Sequence, residues 1–122
     1  MQITMYGIKP SDIQYLEHLR DAEVTQICVG PHDIQFNFHP RANISVQGRC
    51  ELQDAFGAVL EVWEESTHSG NFRFPDILMT PVLEVLIDSP KSFVLKFANE
   101  LILRVIDNSE QYESFFVGNL YV

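Results

Sequence analysis

At 122 residues and 46% hydrophobic side chains, the chain is long enough for one core and too apolar for disorder. Eight basic residues against 17 acidic ones give a formal charge of -9, a field that repels nucleic acid and anionic membrane and attracts cations. No apolar run approaches the ~18 residues needed to span a bilayer, so neither nucleic acid nor membrane is expected as a partner. Solubility alone also explains an acidic surface.

The first nine residues begin apolar and read as a short strand or an extended arm. Ser11 is a good N-cap and Asp12 suits a first helical turn, so a helix is expected near residues 11–21. Ile13, Leu16 and Leu19 form its apolar stripe. Residues 24–29 are the first expected strand, and Gly30, Pro31, His32 and Asp33 form a turn cluster. Residues 34–39 are the second strand, with Ile34, Phe36 and Phe38 alternating against Gln35, Asn37 and His39.

Residues 44–65, ISVQGRCELQDAFGAVLEVWEE, then read as one long hairpin. Ile44, Val46, Gly48, Cys50 and Leu52 share the core side. Asp54, Ala55, Phe56 and Gly57 make the turn, and Ala58, Leu60 and Val62 are expected to return on that side. Residues 66–73 are polar and read as a loop, and Pro75 suits the first position of a helical turn. Residues 82–87, 92–98 and 101–107 are three further strands, and 112–117 a last one.

The fold class expected is mainly β (α+β): two antiparallel β-meanders packed as a sandwich or open barrel, with the one N-terminal helix. Residues 1–122 form a single domain. Residues 24–64 and 82–117 can be laid on each other as an internal pseudo-repeat, with Val24 matching Val82 and Phe38 matching Phe97. Two unrelated three-strand meanders would align equally well.

The phrase Glu110-Gln111-Tyr112-Glu113-Ser114, with FANELILRV before it, resembles small uncharacterised bacterial domains built from two β-meander units. The resemblance covers most of residues 24–117, in pattern more than identity, and carries over no catalytic residue. Small acidic domains of this look include immunity proteins that neutralise toxins delivered between competing bacteria, so the resemblance implies a cytoplasmic inhibitor.

No catalytic motif accompanies it. His18, His32, His39 and His68 lack the close spacing of a metal site, so no metal and no cofactor is expected. Cys28 and Cys50 lie on the first and third strands, roughly 10 Å apart if those strands are not neighbours, too far for a disulfide. With no leader-like segment read at the start, a reducing cytoplasmic setting is expected. Cys50 alternates onto the apolar side and reads as a small buried hydrophobe.

The most informative surface expected is acidic. Between Arg49 and Arg73 there is no Lys or Arg, while Glu51, Asp54, Glu61, Glu64 and Glu65 fall there around the single tryptophan, Trp63. An outward indole ringed by carboxylates has the composition of a hot spot for a basic protein. The competing reading packs Trp63 into the core. The leading expectation is therefore a non-enzymatic binding protein, monomer or homodimer, that occludes a basic nuclease-type toxin. The alternative is a structural β-domain that self-associates through a free sheet edge.

Overall fold

A computed structural model describes residues 13–40, 42–64, 67–69, 72–106 and 115–119, with backbone alone for Tyr15, residues 67–69 and residues 115–119. The start of the expected helix, the phrase at 110–114 and Glu65 lie outside the described residues.

The chain is mainly β. Among the described residues, ten strands run in order: β1 (Glu23–Val29), β2 (Ile34–His39), β3 (Ala42–Val46), β4 (Arg49–Gln53), β5 (Val59–Glu64), β6 (Thr67–Ser69), β7 (Val82–Ser89), β8 (Ser92–Phe97), β9 (Ile102–Ile106) and β10 (Phe115–Asn119). They form two antiparallel sheets, ordered β1-β2-β3-β10 and β6-β5-β4-β9-β8-β7. The expected helix is reduced to one turn, α1 (Ile13–Leu16), continued by a 3-10 turn at Glu17–Leu19. Its apolar stripe behaves as read, because Leu16 and Leu19 are buried.

The alternation along the strands explains the core. Ile34, Phe36 and Phe38 of β2 and Ala42, Ile44 and Val46 of β3 face inward from the first sheet. Cys50, Leu52, Leu95, Phe97, Leu103 and Val105 meet them from the second, in one continuous cluster. Each such side chain stabilises the fold by roughly 1.5–3 kcal/mol through the apolar surface it removes from water. Phe74, in a 3-10 turn at Phe74–Ile77, closes the cluster with its ring edge-on to Phe36 at 5.8 Å.

Three expectations are corrected. The continuous strand through 44–52 breaks at Gln47 and Gly48, where the chain leaves one sheet and enters the other. Inward parity survives the crossing, since Ile44, Val46, Gly48, Cys50 and Leu52 are all buried. The first-half strands are thus shared between sheets: β3 pairs with β2 and β10, whereas β4 pairs with β5 and β9. Part of the expected loop at 66–73 is instead the short strand β6, paired with β5.

The two sheets also touch along one edge. Glu23 bridges Pro81 and Val24 bridges Leu78. Asp21 N–H donates to the Val82 carbonyl at 2.7 Å, and Val82 N–H donates to the Ala22 carbonyl at 2.9 Å. Arg20 Nη1 donates to the Leu83 carbonyl at 2.6 Å, so the segment after α1 covers the start of the β7 edge.

Candidate functional site: an acidic and apolar pole

The expected hot spot is overturned at its centre. Trp63 is 3% exposed and Glu61 1% exposed, both in the interior. Strand register gives the reason. Cys50 pairs with Trp63 and Leu52 with Glu61, and cross-strand partners share a face. A bulge then pairs Gln53 with Val59, so Leu60 is an extra residue between two paired positions of β5. A one-residue change of register moves every side chain beyond it to the other face: Val62, expected inside, is half-buried on the outer side, and Leu60 is only partly buried against the core.

The exchange puts the large apolar surface of the indole in the interior. Burying Glu61 would be costly without compensation. Its Oε1 accepts the backbone N–H of Phe74 at 2.7 Å and that of Arg73. These amides open the 3-10 turn at Phe74–Ile77, whose N-cap, Arg73, supplies no side-chain cap. Glu61 therefore caps that turn from a neighbouring strand.

The remaining expected residues divide. Glu51 and Glu64 do lie outside, but Arg49 stands between them. Its Nη2 is 2.7 Å from Glu51 Oε2 and its Nη1 3.0 Å from Glu64 Oε2. Hydrogen bonds to Glu51, then to Glu64, raise the proton affinity of the Arg49 guanidinium further. Asp54 is a turn residue, its Oδ1 accepting from Phe56 N–H at 2.8 Å and Ala58 N–H at 3.0 Å.

The other described arginines are engaged in the same way. Arg20 holds Glu17, Arg73 holds Asp76 and Arg104 holds Asp88, while Lys96 is 3.8 Å from Glu84. Among the described residues, the carboxylates outside the interior that join no ion pair are Asp21, Glu23, Asp33, Asp54 and Glu100, although Asp21 lies within the field of Arg20.

The strand ladders bring all of these except Asp33 to one end of the molecule. Gln53 pairs with Ile102, so the β4–β5 and β8–β9 turns, with Asp54 and Glu100, are neighbours. Ala98 N–H donates to the Pro81 carbonyl at 2.9 Å, and Pro81 bridges Glu23. Asn99 Nδ2 donates to the Asp76 carbonyl at 2.9 Å, which adds the 3-10 turn to the same end. Large exposed apolar side chains gather here too: Phe56 at 97%, Met79 at 63%, Leu83 at 52% and Val59 at 50%. Sequence reasoning missed Glu23 and Glu100 because they are far apart in the chain; the absence of basic residues around Phe56 was the one readable signal.

The opposite end is chemically different. A shallow, open depression of about 390 Å³ is lined by Pro31, His32, Asp33 and Gln47. Asp33 Oδ2 accepts from Gln35 Nε2 at 2.8 Å. Among the described residues, no group of three or more His, Cys, Asp or Glu is placed to hold a metal ion. Cys28 is exposed and Cys50 buried, both as free thiols. Burial, reinforced by the charges of Glu61 and Glu51, pushes the Cys50 thiol up, far from the range of a nucleophile.

Among the described residues, no helix is long and apolar enough to cross a membrane. No protein family profile matches the chain, and neither a curated protein nor a solved structure matches it.

Proposed function

We propose that this is a non-enzymatic acidic binding protein that caps a basic protein partner, in its specific form a cytoplasmic inhibitor of a nuclease-type bacterial toxin. One observation carries the reading. The described arginines are each matched to a carboxylate of their own chain, and of the outward described carboxylates in no ion pair all but Asp33 gather at one pole. Carboxylates there would replace the nucleic-acid phosphates that a nuclease's lysines and arginines hold, and would speed encounter. The specific form rests on charge and on the resemblance drawn from the sequence.

The partner-facing residues are revised accordingly. Asp54 stays, joined by Glu23 and Glu100; Glu51 and Glu64 become a flank whose charge Arg49 partly offsets; Glu61 and Trp63 are withdrawn. Self-association through a sheet edge is the weaker reading. The edge strand β7 carries register irregularities near both ends, and Arg20 occupies a carbonyl at its start. Such features blunt an edge against pairing.

The test uses catalytically inactivated basic nuclease domains of contact-delivered bacterial toxins, with cytochrome c as a generic cationic control. A cognate domain should bind far more tightly than cytochrome c. The variant Glu23→Lys/Glu100→Lys should then slow association by about tenfold at low salt and flatten its salt dependence. Association that is equally fast and equally salt-sensitive in this variant rules the pole out as the docking face.

A further inference from the structure

We propose that Phe56 is the anchor of this pole: a preordered aromatic plug that enters an apolar pocket, rimmed by lysine or arginine, on the protein partner. The inference deepens the binding-protein reading and rests on it.

Phe56 stands out because it is 97% exposed while its backbone is held in a hydrogen-bonded turn. Asp54 N–H donates to the Ala58 carbonyl at 2.9 Å, and Gly57 N–H donates to the Asp54 carbonyl at 3.0 Å. The Asp54 carboxylate adds its two bonds to Phe56 and Ala58 N–H. Gly57 takes φ 86°, a value that residues with a side chain rarely adopt, so the turn depends on that glycine. The bulge beside the turn sets its angle to the ladder. A ring presented in this way contributes nothing to its own core, and with two side-chain torsions it loses little freedom on docking.

The surroundings specify the occupant. Val59, half exposed at the foot of the turn, widens the apolar contact. No Lys or Arg occurs from residue 50 to residue 72, and Asp54 and Glu100 flank the tip without cation partners. An aromatic within a negative field fits an apolar pocket with a cationic rim. A second copy would bring the same negative pole against this one, and an anionic lipid surface would repel both. A central aromatic inside a charged rim is the arrangement in which binding energy concentrates.

The experiment compares wild type, Phe56→Ser and Phe56→Leu against the inactivated nuclease domains named above, by interferometry. Thermal melts of the three proteins should coincide, since the ring is outside the core. For a domain that binds wild type, Phe56→Ser should weaken Kd by about tenfold or more, mainly through faster dissociation, and Phe56→Leu by less. Glu23→Lys/Glu100→Lys acts on association instead, which separates anchor from steering. If Phe56→Ser leaves Kd unchanged, the anchor is overturned while the binding reading stands. If no domain binds wild type above the cytochrome c level, the functional reading fails and the anchor falls with it. Dimerisation in sedimentation that Phe56→Ser abolishes would overturn the proposal in favour of a second copy. Flotation with phosphatidylcholine vesicles that Phe56→Ser abolishes would overturn it in favour of a lipid surface.

Discussion

Glu61 and Glu64 lie three residues apart on β5 and have opposite relations to water. Glu61 is enclosed and accepts backbone N–H groups; Glu64 is half-exposed and meets the Arg49 guanidinium. The first is part of the architecture, because removing it leaves a buried donor without an acceptor. The second is part of the surface, where water replaces whatever is lost. A run of acidic residues in a sequence is therefore not one electrostatic object until register assigns each carboxylate to a face.

That contrast can be tested from the inside outward. Trp63→Ala should have the largest effect, a loss of about 3–5 kcal/mol, measured by denaturant unfolding. A loss below about 1 kcal/mol would return the indole to the surface. Glu61→Ala should destabilise by about 1–3 kcal/mol, chiefly through the orphaned Phe74 N–H. Hydrogen exchange should report the same change as faster exchange at Phe74, with little change in the first sheet. Arg49→Gln should alter stability by less than about 1 kcal/mol, because the pairs it breaks are partly open to water. An effect as large as that of Glu61→Ala would erase the distinction between the two faces.

The smallest effect belongs to Glu17, partly exposed and hydrogen-bonded by Arg20, which lowers its pKa. A carboxylate whose pKa is lower in the folded state adds stability above its unfolded pKa and loses it as pH falls through the folded one. Glu17→Gln should therefore leave unfolding unchanged below both pKa values and lower stability slightly at neutral pH. A difference confined to strongly acidic conditions would contradict the pairing.

The strands themselves were largely legible. Ile34, Phe36 and Phe38 alternate with polar partners, and that pattern placed both β2 and its buried face. Cys50 was read as buried for the same reason. Three features were not legible, each for a physical cause. The crossing at Gln47 and Gly48 keeps the same inward parity, so the hydrophobic pattern runs through it without a mark. The bulge opposite Leu52 and Gln53 adds one residue, Leu60, that alternation cannot register, and the faces of β5 beyond it are the inverse of those expected. The role of Glu61 depends on amides twelve and thirteen residues away in sequence, which spacing rules do not reach. The acidic pole was hidden for a related reason, since its members come from three separate segments: the entry to β1 and the β4–β5 and β8–β9 turns.

The pairing of β10 with β3 bears on how the molecule is made. On the ribosome, β3 emerges early, and its outer edge then waits while nearly all the remaining strands are synthesised. Through that interval the incomplete first sheet exposes an open rim, the kind of surface on which nascent chains stick to one another. Because β3 runs straight on into β4, the late arrival of β10 also governs when the second sheet gains a settled neighbour. The slow step of maturation should accordingly track the docking of the final strand, a contact between distant parts of the chain.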